Sequence, residues 1–193
     1  MRSMRVAVLI LLALSSTFAS ATDDPAALWA LLKEGGRVAL VRHAATSGGA
    51  GDPPGFRLGD CATQRNLVPQ GKEDAKALGK RFRAHGIKVG KVLSSEWCRC
   101  RETATLMDLG PADIAPTFNN AFTYRDRVDE LTAGARKIVV AWRGPGTLVV
   151  HTHGANLRPL TGIDPGEGGM VVVTPDANSA GGFRVEGRIP IGK

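Results

Sequence analysis

Three short stretches of this chain carry basic groups of the kind that capture an anion. Arg42 and His43 open Arg42-His43-Ala44-Ala45-Thr46, and two histidines stand together in His151-Thr152-His153-Gly154. The third stretch is Ser94-Ser95, with Arg99 a few residues on. Guanidinium and imidazole groups held close repel one another unless an anion lies between them. Phosphate fits that place, because arginine meets its oxygens with a planar fork of N–H donors. If the three stretches meet in space, the chemistry they suit is the capture of a phosphoryl group.

Each stretch closes an apolar run that reads as a strand: residues 37–41, 91–94 and 147–151. Helices alternate with them. Residues 26–32 form a first helix after an N-cap cluster and stop at Gly35-Gly36. Residues 70–84 place Ala75, Leu78, Gly79 and Phe82 on one face, and residues 96–107 form a third helix that stops at Leu109-Gly110-Pro111. Val128, Leu131, Ala135, Ile138 and Trp142 follow a helical period and mark a fourth. Residues 114–118 read as an edge strand interrupted by Pro116, and residues 170–173 and 183–189 as late strands. Residues 46–58 are rich in glycine and proline without apolar period, hence a surface loop. Trp97 and Trp142 are expected in the core, and Gly154 and Gly162 in turns. This order predicts one α/β domain, a three-layer α/β/α sandwich with a mostly parallel central sheet. Ligands of open α/β sheets bind beyond the carboxyl ends of the strands. Two arginines and two or three histidines would therefore arrive at one edge. His151 and His153 point to the same face if the strand runs through both.

The composition narrows the field further. With 193 residues, 43% of them hydrophobic, the chain can bury one core. Its only long apolar run is N-terminal, which excludes a multi-span membrane protein. Residues 1–21 have the layout of a secretory signal peptide: Arg2 and Arg5, a short apolar core, and Ala19-Ser20-Ala21 as cleavage site. Cleavage would leave residues 22–193 as one domain, periplasmic or secreted, with no stable membrane insertion. Losing two of 25 basic residues and none of 18 acidic ones leaves a net charge of +5. That suits anionic ligands. The scattered lysines and arginines, with no interleaved aromatics, argue against nucleic acid as a partner.

Three cysteines, Cys61, Cys98 and Cys100, imply in an exported chain one disulfide and one free thiol. Cys98 and Cys100 are too close to bridge well, so Cys61 is expected to pair with one of them. The closed loop of about 40 residues would contribute about 4 kcal/mol in the chain-entropy model. The alternative is three buried thiols. C-x-C with one distant cysteine lacks zinc-site spacing, and no metal or other cofactor is expected.

The same stretches resemble the histidine phosphatase superfamily, the clan of phosphoglycerate mutases, acid phosphatases and phytases. Arg42-His43-Ala44-x-Thr46 is similar to its R-H-G-x-[S/T] motif, with Ala44 in place of glycine. Ser94-Ser95-x-x-x-Arg99-x-x-x-Thr103-Ala104 and Val149-Val150-x-x-His153-Gly154 resemble its second and third segments. Asn66-Leu67-x-x-x-Gly71 resembles its L-T-x-x-G element. The resemblance implies a phosphoglycerate mutase-like fold and a set of roles. His43 would be the nucleophile that carries the phosphoryl group. Arg42 and Arg99 would hold its oxygens, His153 would donate from the opposite side, and Thr46 could add a hydroxyl.

A departing alcohol needs a general acid, and the acidic residue that acid-phosphatase members place after the second histidine is missing here. Asp126 is the first candidate. Asp129 and Glu130 belong to a helix start, and Asp52, Asp60 and Glu167 lie on loops. The expected activity is hydrolysis of a small or envelope-linked phosphomonoester. The alternatives are a phosphomutase or a non-catalytic phosphate-binding protein. A bond from Cys61 to the helix carrying Arg99 would hold the 46–58 loop as a wall of the site.

Overall fold

The computed structural model describes residues 24–192. The expected signal segment, residues 1–21, lies outside the described residues. Helix α1 (Pro25–Glu34) starts where Asp24 accepts a hydrogen bond from the Ala26 N–H at 3.0 Å, with Pro25 in the first turn. Strand β1 (Val38–Arg42) follows. Then come α2 (Pro69–Ala84), β2 (Val89–Ser94), α3 (Cys98–Met107) and β3 (Ala112–Ile114). Helix α4 (Val128–Ala141), β4 (Thr147–Thr152), α5 (Gly154–Thr161), β5 (Met170–Pro175) and β6 (Phe183–Ile189) complete the order.

The six strands form one sheet in the order β3-β2-β4-β1-β5-β6. The first four in sequence run parallel, while β5 is antiparallel to both β1 and β6. Successive side chains point to opposite faces, so each strand feeds two cores. Ala39, Val41, Val92, Val149 and Val172 pack against α1, α2 and α3. Val38, Leu40, Leu148, Val150 and Val171 pack against α4 and α5. This is the expected three-layer sandwich.

Helices α2 and α3 meet at Gly79, where a methyl group would overlap the Met107 carbonyl. Gly71, in the first turn of α2, touches the Ala45 backbone in the same way. The glycine of the Asn66-Leu67 element thus lets α2 lie directly against the segment that follows β1.

Three local readings need correction. The edge strand is Ala112–Ile114, and Pro116 opens a 3-10 turn (Pro116–Phe118) instead of continuing it. Proline has no N–H to give to a ladder. The third helix begins at Cys98, after a turn at Ser95–Trp97 rather than at Glu96. Helix α5 has no counterpart in the sequence reading. Its eight residues start at a glycine and contain Pro159, so they show no apolar period. Among the described residues no helix is long and apolar enough to cross a membrane.

Candidate active site

Sheet register brings the distant stretches together. Arg42 is paired with Thr152 across β1 and β4, so His43 and His153 are the next residues beyond the last pair. The His43 N–H still reaches the Thr152 carbonyl at 3.0 Å, and the two imidazole centroids are 5.4 Å apart. On the other side of β4, the Ser95 N–H donates to the His151 carbonyl. That fixes the turn from which α3 carries Arg99 inward. A cavity of about 150 Å³ opens there. Arg42, His43, Arg65, Arg99, His153 and Asp164 supply its charged and titratable lining. Ala50, Gly51, Asn120, Phe122, Gly154 and Ala155 complete the wall.

The tautomer of His43 follows from one contact. Its Nδ1 lies 2.9 Å from the Ala44 carbonyl oxygen. A carbonyl only accepts, so Nδ1 carries the hydrogen and Nε2 keeps its lone pair. Burial, with smaller pushes from Arg99 and Arg42, lowers this imidazole to about 3, against the opposing pull of the Ala44 carbonyl. Nε2 is therefore unprotonated at neutral pH. The methyl of Ala44, where the family motif has glycine, is wholly buried in the core beneath α2.

His153 sits against a hydrogen-bond chain. Its Nε2 is 3.0 Å from Ser95 Oγ, which donates to Asn119 Oδ1 at 3.3 Å. Asn119 Nδ2 then donates to Glu96 Oε2 at 2.6 Å. With the Ser95 hydrogen on Asn119, Ser95 accepts from His153 Nε2–H. The relay ends on a carboxylate and supports added positive charge on the ring. Burial first, then the charges of His43 and Arg99, holds His153 well below the ordinary histidine value. The third cysteine, Cys100, lies beside this ring, and burial pushes its thiol up to about 12.

Every arginine of the cavity has a carboxylate partner. Arg99, with 2% of its side chain exposed, grips Asp52 with two N–H groups at 2.7 and 3.2 Å. The same carboxylate accepts from Trp97 Nε1 and the Arg65 backbone N–H. Arg42 Nη1 holds both oxygens of Asp164 at 2.9 and 3.0 Å. Glu167 stands 3.7 Å from both Arg42 and Arg65 and accepts from Thr46 Oγ1. Burial raises the Asp52 and Asp164 carboxyls. For Asp52 the hydrogen bonds from Arg99 and Trp97 outweigh it, and for Asp164 those from Arg42 and the Gly166 N–H do. Both carboxyls stay below the usual carboxylate range.

Of the expected residues, Arg42, His43, Arg99 and His153 share the cavity. Thr46 stands behind it as the tether of Glu167 and Arg65. Asp126 corrects the sequence reading: it is exposed on a 3-10 turn (Arg125–Arg127) and outside the cavity lining, because the chain turns to solvent there before α4. Asp129 and Glu130 are exposed at the start of α4, and Asp60 caps a turn by accepting from Ala62 N–H. His151 lies wholly buried inside β4, with both ring nitrogens unpartnered. Trp97 is buried beside the site, and Trp142 is partly buried.

Arg65 and Asp164 were missed. Arg65 directly precedes the recognised Asn66-Leu67 element, and that adjacency is its only signal. Asp164 follows the Gly162 cap of α5 and has no local signal at all. The disulfide joins Cys61 to Cys98, the first residue of α3, and leaves Cys100 free. Gln64 adds a hydrogen bond to the Cys98 N–H. The start of the Arg99 helix is thereby pinned to the end of the loop that carries Asp52.

Three buried neutral histidines make stability depend on pH. The unfolded chain protonates them around 6.5, whereas His43 and His151 take protons only near 3 in the fold, and His153 is also lowered. The unfolded state therefore binds more protons in that window. Stability is full above about 6.5 and is lost as pH falls. Denaturant melts should show a slope approaching about 1.4 kcal/mol per pH unit for each histidine. A flat profile between about pH 6.5 and 4.5 would contradict neutral burial.

A mostly parallel α/β sheet covered by helices on both faces, with imidazoles and guanidiniums gathered beyond its strand ends, defines a three-layer sandwich with a basic cavity at one edge. A family model described as the histidine phosphatase superfamily (branch 1) matches residues 38–134, half of the chain. The chain belongs to that superfamily. No curated protein matches it in sequence. Among solved structures it is similar to the protein histidine phosphatase SixA complexed with tungstate. The identity is 17%, over 80% of this chain and 96% of that one, with a TM-score of 0.50. It is also similar to phosphoserine phosphatase from Entamoeba histolytica in complex with 3-phosphoglyceric acid (11% identity, 81% and 98% covered, TM-score 0.56). A mycobacterial glucosyl-3-phosphoglycerate phosphatase complexed with VO3 gives 15%, 77% and 96%, and 0.55. At these identities the likeness is one of fold.

Proposed function

We propose that the protein is a phosphatase that takes a terminal phosphoryl group onto His43 and passes it to water. The observation that carries this reading is the hydrogen bond from His43 Nδ1 to the Ala44 carbonyl. It leaves Nε2 as a free lone pair among Arg42, Arg99 and His153. Such a nitrogen attacks phosphorus without first losing a proton. Arg42 and Arg99 would turn from their carboxylates to the phosphoryl oxygens and stabilise the charge of the transition state. His153, backed by Ser95, Asn119 and Glu96, would take up positive charge opposite them. Tungstate and VO3 occupy two of the similar proteins, and we expect this cavity to take such oxyanions too. No step needs a metal or other cofactor.

The test is incubation of the purified chain with a chromogenic phosphomonoester, followed by rapid quench in base. Turnover with an acid-labile, base-stable phosphoryl label supports the reading. Oxyanion binding without turnover or label replaces it with a binding protein.

The relay behind His153 gives a separate expectation. Asn119→Ala, which frees both Ser95 and Glu96, should lower kcat about tenfold or more with little change in KM. It should also move the acid limb of the pH–rate profile. An unchanged profile would make Asn119 a packing residue only.

We place the reaction in the periplasm or outside the cell. The signal-like residues 1–21 and the Cys61–Cys98 disulfide support this, since such bonds persist in oxidising compartments. The mass of the chain recovered from its source would show the cleavage.

A further inference from the structure

A phosphatase acting on an alkyl ester must hand a proton to the departing oxygen, and that acid is normally a carboxyl kept neutral by its surroundings. Among the described residues, the one carboxyl lining this cavity is Asp164. Its two oxygens lie 2.9 and 3.0 Å from Arg42 Nη1, and one of them also accepts from the Gly166 N–H. Asp52 is gripped by Arg99 and Trp97. Glu167 stands between Arg42 and Arg65 and accepts, rather than gives, a hydrogen at Thr46. Asp52 and Asp164 are thus held as anions, and Glu167 is engaged by two arginines and a hydroxyl. Of the other nearby groups, the His43 hydrogen is committed to Ala44, the His153 Nε2–H is committed to Ser95, and the Cys100 thiol is buried behind His153.

The cavity is supplied instead with guanidiniums, each paired with a carboxylate while the site is empty. Arg42 and Arg99 suffice for one phosphoryl group, yet Arg65 adds a third guanidinium to the lining. Past Gly154, Ala155 and Asp164 the cavity continues into an open groove of about 500 Å³, bounded by Val128, Arg158 and Pro159. A leaving group lying there meets a fourth guanidinium.

Resting on the phosphatase reading above, we infer that the physiological substrate carries its phosphoryl group on an acidic oxygen: an acid anhydride, either an acyl phosphate or a diphosphate. The leaving group departs as a stable anion, stabilised by arginine rather than by a proton. In the first step the His43 Nε2 lone pair forms the N–P bond. The P–O bond breaks, and its electron pair leaves with the carboxylate or phosphate. Charge balances without a proton, since a dianion and a neutral imidazole become an oxyanion and a singly negative phosphoimidazolium. In the second step water adds to phosphorus, the N–P electrons return to Nε2, and both water protons leave on dihydrogen phosphate.

The value of kcat/KM contains only steps through departure of the leaving group, so it reads this chemistry directly. The experiment uses the full chain with acetyl phosphate, pyrophosphate, glycerol phosphate and a series of aryl phosphates of graded phenol acidity. General acid catalysis is worth about 10²–10⁴-fold. We therefore expect glycerol phosphate to be at least about 10³-fold slower than acetyl phosphate, with a steep fall across the aryl series. Asp164→Asn and Glu167→Gln should leave the steepness of that series unchanged. A shallow dependence, or one that steepens in either variant, overturns the inference and names the acid. Absence of turnover and of label on His43 with every compound, anhydrides included, removes the phosphatase reading itself.

Discussion

His43→Ala should abolish phosphatase turnover, with kcat at least about 10³-fold lower, and no phosphoryl label should be trapped on the chain. The size follows from what the residue does. It supplies the attacking atom, and no neighbouring group can replace it. The Nε2 of His153 is committed to Ser95, and Cys100 stays a thiol with its value pushed up to about 12 by burial. The fold should survive, because the imidazole makes one side-chain hydrogen bond, to its own neighbour. Removing a buried neutral histidine also removes one proton of acid sensitivity. Circular dichroism and the denaturant midpoint at pH 7 serve as controls. A residual rate within tenfold of the parent, in a variant that binds vanadate normally, would show that the phosphoryl group never resides on His43.

The second large effect concerns stability. Arg99→Ala should destabilise the chain by about 3–5 kcal/mol, because it leaves a buried carboxylate without its cation. In a domain of this size that corresponds to a melting temperature lower by about 6–20 °C. The Asp52 side chain is 1% exposed, and only the Trp97 indole and one backbone N–H would remain to satisfy it. Asp52→Asn breaks the same pair from the other side and should lose a comparable amount. The two variants then diverge on ligand. Asp52→Asn leaves Arg99 charged and unopposed, so vanadate should bind more tightly and return most of the lost stability. Arg99→Ala should bind it less tightly and regain little. Replacing both residues with apolar ones should cost less than the two single losses added together. Equal recovery by vanadate in the two single variants would show that Arg99 serves the fold and not the anion.

Together, these effects describe a cavity that is electrically balanced before it is filled. Each guanidinium that suits a phosphoryl group is already satisfied by Asp52, Asp164 or Glu167. A buried arginine without a partner would cost several kcal/mol, and the carboxylates avoid that cost in the empty state. An arriving dianion must compete with them. In the proposed reaction, the same competition would lower the affinity for a bare phosphate product.

Much of this molecule was legible in its sequence because the signals were local. Apolar periodicity marked α2 and α4, and continuous apolar runs marked β1 and β4. Their carboxyl ends, together with the Ser94-Ser95 end of the second strand, pointed to Arg42, His43, Arg99 and His153 as neighbours in space. The cysteine count called for a bond from Cys61 but left its partner open between Cys98 and Cys100. The structure chose Cys98, which lies at the mouth of α3, whereas Cys100 faces inward to His153. What tertiary structure alone decided is the set of partners that act across the fold. Asp52 reaches Arg99 over 47 positions and Asp164 reaches Arg42 over 122. Asp126, the first candidate for the general acid, faces solvent. Local propensity acts over a few residues, so it can announce a strand and the histidine at its end. The charge facing that histidine depends on how loops from distant parts of the chain close over the sheet, and no short-range pattern encodes it.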